Sequence, residues 1–141
     1  MNWLVDSSVL IAVFFDEHPH HEASLALYLT ADRSTSACAA HSLAEVYACI
    51  TRMQGLHRAS AEQALLLLDN IRDRFTLVAL DPEEYSSALS DAAMQGIIGG
   101  TVYDALIARC ALKVRAKIVY TWNVDHFRRC GPEVARRVRT P

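Results

Sequence analysis

The chain is expected to fold as an α/β protein around a mostly parallel sheet. Three observations predict this: apolar runs of strand length recur along the chain, amphipathic segments of helical period separate them, and helix-start signals stand where one gives way to the other. Trp3-Leu4-Val5 reads as a buried strand ending at Asp6. Ser7 or Ser8 then caps a helix carrying Val9, Leu10, Ala12 and Val13. A break at Asp16-Glu17-His18-Pro19 leads into helical spacing from His20 to Ala31. Ser34 to Ala37 reads as a second short strand, and the apolar positions Leu43, Val46, Tyr47, Ile50 and Met53 predict a helix from Ser42 that Gly55 ends. Ser60 opens a long helix through Ala64, Leu65, Leu68 and Ile71. Phe75 to Leu80 is a third strand, Asp81-Pro82 a strong start for a helix reaching about Gln95, and Gly96, Gly99 and Gly100 a loop. Thr101 or Val102 opens the next helix, to about Arg115, and Ala116 to Tyr120 is a fourth strand. A last helical turn and an arginine-rich tail close the chain.

At 141 residues, with 52% hydrophobic and 21% charged, the sequence has the size and the apolar content of one domain with a real core, residues 1–141. It shows no repeat, linker or low-complexity segment. The net charge of −2 and a pI near 6.3 argue weakly against a general nucleic-acid binder, though the charge is unevenly spread. The first residues carry no basic segment and the apolar stretch is broken by Asp6, so no signal peptide is expected; no apolar run approaches a membrane span. A soluble, cytoplasmic protein is the expectation. The four cysteines, Cys38, Cys49, Cys110 and Cys130, have neither CxxC nor zinc-site spacing, and Cys49 and Cys110 fall in helical patterns that predict buried, reduced thiols.

Several carboxylates occupy unusual places. Asp6 ends an apolar strand, where ligands of open parallel sheets bind. Glu45 lies between Leu43 and Val46, close to the apolar face of its helix. Asp104 sits in the first turn of a helix, directly before Ala105-Leu106-Ile107. Asn123 and Asp125 follow the fourth strand. Like charges brought together repel, and a cation between them relieves the repulsion. An oxygen-rich set without histidine or cysteine suits Mg²⁺ or Mn²⁺, ions that polarise phosphates and activate water. Each acid alone has a plainer reading: Asp6 as a helix cap, Glu45 as a part-exposed helix residue, Asp104 as an acid favoured by the helix dipole.

At these residues the chain resembles the PIN-domain family, especially the VapC-type toxins of bacterial toxin–antitoxin pairs. The matching pieces run from Leu4 to Ile11, Ser42 to Val46, Val102 to Ala108 and Tyr120 to Phe127. They occur in family order and span nearly the whole chain. The resemblance implies a three-layer α/β/α sandwich on a short, mostly parallel sheet, a carboxylate site for Mg²⁺ or Mn²⁺, and hydrolysis of RNA phosphodiesters. It places Asp6, Glu45 and Asp104 as the metal-holding acids. Asn123 aligns with the fourth catalytic position, often Asp in relatives, and Asp125 is the alternative source of that charge. Ser8 and Thr121 match hydroxyl positions close to the metal and the substrate. The resemblance also implies an antitoxin partner and a homodimer. A phosphatase of the haloacid-dehalogenase type is excluded, because Ser8 stands where its second Asp is required. Two alternatives remain open here: a metal-dependent DNA nuclease, and a catalytically weak PIN module that binds RNA or protein.

Three further features have both plain and functional readings. His18, His20 and His21 around Pro19 read as a solvated helix entry rather than a metal site, and relatives often carry a similar stretch. His126 reads as packing beside Phe127, with substrate contact the less favoured reading. Arg128, Arg129, Arg136, Arg137 and Arg139 make a basic edge that either contacts a phosphate backbone, Arg128 and Arg129 above all, or is a solvated tail. Leu65 to Leu68 exceed one buried stripe and suggest a partner surface.

Overall fold

The computed structural model describes all residues, 1–141. Strands β1 (Trp3–Val5), β2 (Ser36–Ala39), β3 (Thr76–Val78), β4 (Ile118–Tyr120) and β5 (Val138–Arg139) form one sheet in the order β3-β2-β1-β4-β5, every pair parallel. The expected parallel sheet is therefore present, with no antiparallel member. Between the strands run α1 (Ser7–Val13), α2 (His21–Leu29), α3 (Ala40–Arg52), α4 (Ala61–Arg74), α5 (Pro82–Met94) and α6 (Val102–Lys113), followed by the short α7 (Val124–Arg128) and α8 (Pro132–Ala135).

Side chains alternate across a strand, and here both faces are covered. Trp3, Val5 and Cys38 point to one face, where they join Val9, Leu10, Tyr28, Val46, Ile50, Ala64, Ile71 and Phe75 from α1–α4 and the residue before β3. Leu4, Ala37, Ala39 and Val119 point to the other, against Ile107, Ala108 and Ala111 of α6 and Phe127 and Val134 beyond β4. The result is a three-layer α/β/α sandwich. α5 packs outside α6, joined to it by the Arg109–Asp91 ion pair and by Lys113 Nζ, which donates to Glu84 Oε2 at 2.6 Å.

Local chemistry explains most boundaries. Ser60 and Asp81 each cap their helix in a reciprocal box with Gln63 and Glu84. α5 ends where Gly96 takes φ of +72°, and the turn into α6 starts at Gly99 with φ of +64°, both in the left-handed region that glycine tolerates. Other boundaries depart from the sequence reading. The cap of α1 is Asp6, not Ser7 or Ser8. β2 begins two residues later than expected, because Ser36 to Ala39 is the stretch in register with Trp3 to Val5. α3 starts at Ala40 and stops because Met53 turns extended, so Gly55 opens a separate 3₁₀ turn rather than ending the helix. The arginine-rich tail is not a solvated tail throughout: it contains α8 and the edge strand β5, and Arg137 donates to Ala116 O at 2.8 Å and to Glu133 at 2.7 Å. Cys38 and Cys110 are buried, Cys49 only partly so, and none is in a disulfide. Burial pushes the Cys38 thiol up to about 12, so it stays protonated and inert. Leu65 and Leu66 are exposed on α4 while Leu67 and Leu68 are half-buried. No helix is long and apolar enough to cross a membrane.

The chain runs outward from β1 to β2 and β3, then returns to lay β4 on the other side of β1. The order reverses between β1 and β4, so the crevice beyond their carboxyl ends is where this architecture puts a ligand. Phe127, fully buried, clamps the segment after β4 onto that end of the sheet. Phe127→Ala is expected to cost about 3–5 kcal/mol in denaturant unfolding; a cost below about 1 kcal/mol would show that the α7 segment is not anchored by this ring.

Candidate active site

Asp6 follows the last residue of β1, and its backbone N–H donates to Tyr120 O at 2.9 Å, extending the β1–β4 ladder by one step. Its side chain is almost completely buried and forms the centre of a hydroxyl network. Oδ2 accepts from Ser8 Oγ at 2.7 Å, from Thr121 Oγ1 at 2.8 Å and from the Ser8 N–H at 3.3 Å. Oδ1 receives no side-chain donor. Ser8 Oγ in turn accepts from the Trp122 N–H at 3.0 Å, and Thr121 Oγ1 accepts from the Asn123 N–H at 2.9 Å. The ends of β1 and β4, more than a hundred residues apart in the chain, are thereby tied together.

Glu45 reaches the same end of the sheet from the second turn of α3. Its Oε1 accepts from Ser7 Oγ at 2.9 Å and lies 3.7 Å from His41 Nε2. Asp104, buried in the first turn of α6, places Oδ2 at 2.7 Å from His126 Nδ1. When Asp104 is ionised it only accepts, and Nδ1 then carries the proton of that pair. Each of the three acids is thus gripped by protein donors at one oxygen, and its second oxygen is left without a side-chain donor.

The electrostatics are those of crowded anions. Burial raises Asp6 above the ordinary carboxylate range, and the hydrogen bonds from Ser8 and Thr121 only partly offset it. Burial also raises Glu45; the Ser7 hydrogen bond acts against this, while the charge of Asp6 adds to it. Asp104 is pushed up to about 6, by burial first, then by Asp6, with Glu45 adding a smaller push and His126 opposing. The three acids therefore lie near enough to feel one another's charge.

No three His, Cys, Asp or Glu side chains stand as a ready-made metal cage. The donor set nevertheless fits a hard divalent ion in its chemistry: all oxygen, mutually repelling, with one oxygen of each acid uncommitted.

The remaining sequence candidates divide. Ser8 and Thr121 are in the network. Asn123 stands exposed at the cap position of α7, on the rim of a cleft that it shares with Ser8 and Trp122. Asp125 is exposed in the first turn of α7 and bonds to no other site residue. Arg128 and Arg129 are exposed and free of ion pairs at the end of α7, whereas Arg136 and Arg137 pair with Glu133. His126 departs from expectation. It does not serve as packing beside Phe127 but is the partner of Asp104. Only the tertiary fold brings them together, since 22 residues separate them; the sequence signal was no more than a histidine one residue from a buried anchor.

The PIN domain profile matches residues 3–131. The chain belongs to the PIN-domain family. Within it, the chain is similar to two proteins from Mycobacterium tuberculosis. It is 35% identical to ribonuclease VapC27 over 115 residues, covering 81% of this chain and 80% of the relative. It is 31% identical to ribonuclease VapC40 over 114 residues, covering 81% of each. Among solved structures, Mycobacterium tuberculosis VapC20, described as a sarcin–ricin loop cleaving toxin, superposes with a TM-score of 0.71 at 15% identity, over 88% of this chain and 92% of that one. VapBC2 of Rickettsia felis, bound to a DNA fragment from its promoter, gives 0.68 at 19% identity over 100% and 99%. Those two likenesses, at such low identity, speak for the fold. The α/β/α sandwich of this PIN domain is accordingly that of its family.

The raised carboxyls set a pH dependence for the metal-free PIN domain. Asp104 has an ordinary value of 3.8 and a folded value of about 6, so the native state takes up its proton first. Stability contributed by that proton is present below the ordinary value and is lost as pH rises through about 6. Asp104→Asn is therefore expected to raise the melting temperature in chelator at pH 8, with the gap to the parent closing as pH falls below about 6. A gap that does not change with pH would contradict the crowded-anion picture.

Proposed function

We propose that this PIN domain, residues 1–141 as one unit, is a metal-dependent endoribonuclease and the toxin of a VapBC-type pair. The observation that carries the reading is the meeting of Asp6, Glu45 and Asp104, from three separate elements, at the switch point of the sheet in a chain related to VapC ribonucleases. Asp6 and Asp104 are the residues to hold Mg²⁺ or Mn²⁺ through their uncommitted oxygens, with Glu45 joining directly or through a water. Such an ion, when bound, neutralises charge on phosphate oxygens and makes a water acidic enough to attack. The chain's own groups set up that chemistry. Ser8 and Thr121 fix the Asp6 carboxylate in one orientation, and His126 does the same for Asp104. Glu45, half-buried with a raised proton affinity, is suited to orient the attacking water and take its proton. Asn123 replaces a fourth acid by an amide that orients without adding charge, and exposed Asp125 is the weaker candidate for that place.

Arg128 ends the same α7 that carries His126, Arg129 caps it, and the two offer unpaired cations for the RNA backbone. An antitoxin protein is the natural partner. Exposed Leu65 and Leu66 on α4 give an apolar strip suited to it or to a second copy in a homodimer. The cytoplasm, where RNA substrates and antitoxin are made, is the compartment this reading requires.

Purified protein and a set of labelled structured RNAs test the proposal. Cutting is expected with Mg²⁺ or Mn²⁺, none with EDTA, and a loss of roughly hundredfold or more in Asp6→Asn and Asp104→Asn with the fold retained. Full activity in either variant would remove that residue from the site. Cleavage is also expected to weaken as salt rises, since backbone contacts release counterions. Independently of activity, Mn²⁺ at about a hundred times its Kd is expected to stabilise the wild type by about 2.7 kcal/mol. Equal stabilisation of Asp104→Asn would put the ion elsewhere.

A further inference from the structure

Two histidines of the cluster, His18 and His20, and the tryptophan after Thr121 have no part in the chemistry above, yet with Ser8 and Asn123 they line an open cleft of about 470 Å³. That volume falls within the roughly 300–1,000 Å³ of small-molecule sites. The three histidines differ in what they do. His21 Nδ1 pairs with Ala12 O at 2.9 Å and so joins α2 to α1. His18 Nδ1 accepts the N–H of His20 at 3.0 Å and shapes the turn. The His20 ring does neither. It stands at the cap position of α2 but makes no capping hydrogen bond. Instead it lies flat on the Trp122 indole, ring centroids 3.6 Å apart and planes 8° from parallel.

Trp122 is fixed more firmly than a surface aromatic needs to be. Its Nε1–H donates to the buried Ser24 Oγ at 2.8 Å, which sets the plane of the indole. Its backbone N–H donates to Ser8 Oγ, the same hydroxyl that donates to Asp6. The stack is therefore braced directly against the carboxylate site, and the exposed His20 faces the cleft beside Pro19 and the tilted ring of His18. A rigid π surface one residue from the groups that would act on a phosphodiester, with an amide at its rim, matches the needs of a nucleobase: a flat face to stack on and polar edges to meet.

We infer that this cleft is a base-binding subsite, in which one unpaired base of the RNA, next to the scissile phosphate, stacks on the His20–Trp122 pair while Asn123 meets its edge. The inference rests on the ribonuclease reading and adds to it the residues that would seat a splayed-out base. A base seated there also holds its neighbouring phosphate toward Asp6.

The test uses the Asp104→Asn protein for binding and the otherwise unaltered protein for cleavage. The probes are short single-stranded oligoribonucleotides carrying the cleavage site, with or without one abasic position beside it. Binding is read by anisotropy and by tryptophan fluorescence; Trp3, the other tryptophan, is buried in the core. The intact oligonucleotide is expected to quench Trp122 and to bind roughly tenfold more tightly than the abasic one. His20→Ala, at an exposed position without a capping role, is expected to lose that same factor with the intact probe and nothing further with the abasic probe. In cleavage, His20→Ala is expected to raise KM with kcat nearly unchanged. An abasic penalty equal in the presence and absence of His20, or unchanged affinity in both His20→Ala and Trp122→Leu, would overturn the subsite. Cleavage that persists unaltered in those variants would leave the nuclease reading standing, whereas failure of the wild type to cut any of the RNAs would defeat the nuclease reading itself.

Discussion

The structure depends on keeping one anion where water hardly reaches it. Asp6 sits at the carboxyl end of the central strand and at the start of the first helix, almost wholly buried. An isolated carboxylate in such a place costs several kcal/mol. Its tolerance here comes from two hydroxyls and a backbone N–H converging on one oxygen, and each hydroxyl has a second duty. Ser8 also receives the Trp122 N–H, and Thr121 also receives that of Asn123. Satisfying one buried charge has thus fixed the relative placement of the first and fourth strand ends. The crevice between them takes its shape from that arrangement.

Around this centre the arrangement is unbalanced. Glu45 and Asp104 are brought within electrostatic reach of Asp6, and all three are pushed above their ordinary proton affinities. A fold selected only for stability would have spread these charges or replaced one. The hydroxyl of Ser7 and the imidazole of His126 relieve the stress by halves, each engaging one oxygen and leaving the other. Such half-satisfied groups are what a polar core built for rigidity avoids, and what a binding site retains.

Much of this was legible in the residues, for identifiable reasons. Strand-length apolar runs bounded by Asp, Ser and Gly have few alternatives, and the capping boxes at Ser60 and Asp81 are local chemistry that tertiary contacts had no cause to override. Asp6, Glu45 and Asp104 stood out because each is an acid set against an apolar pattern. What could not be read depends on distance in space. β5 is two residues long and owes its existence to pairing with β4. The shift of β2 is a matter of register with β1. The pairing of His126 with Asp104, and the laying of His20 on Trp122, join segments that share no local pattern. The cap of α1 is intermediate: Asp, Ser and Ser in succession are all good caps, and only the depth of the strand end decides among them.

The bridge from Ser8 and Asp6 to Thr121 and Trp122 has a consequence for the timing of synthesis. Asp6 and Glu45 are made early, with Ser7 and Ser8 beside them, but Thr121, which also holds Asp6, and His126, which holds Asp104, come only after β4. A chain still growing on the ribosome carries the first acids with only part of their restraints, since domains assemble as their segments emerge. The cleft therefore comes into being only once the segment after β4 has been made. For a protein proposed to cut RNA, its own template stays beyond reach of a finished site until that segment has emerged.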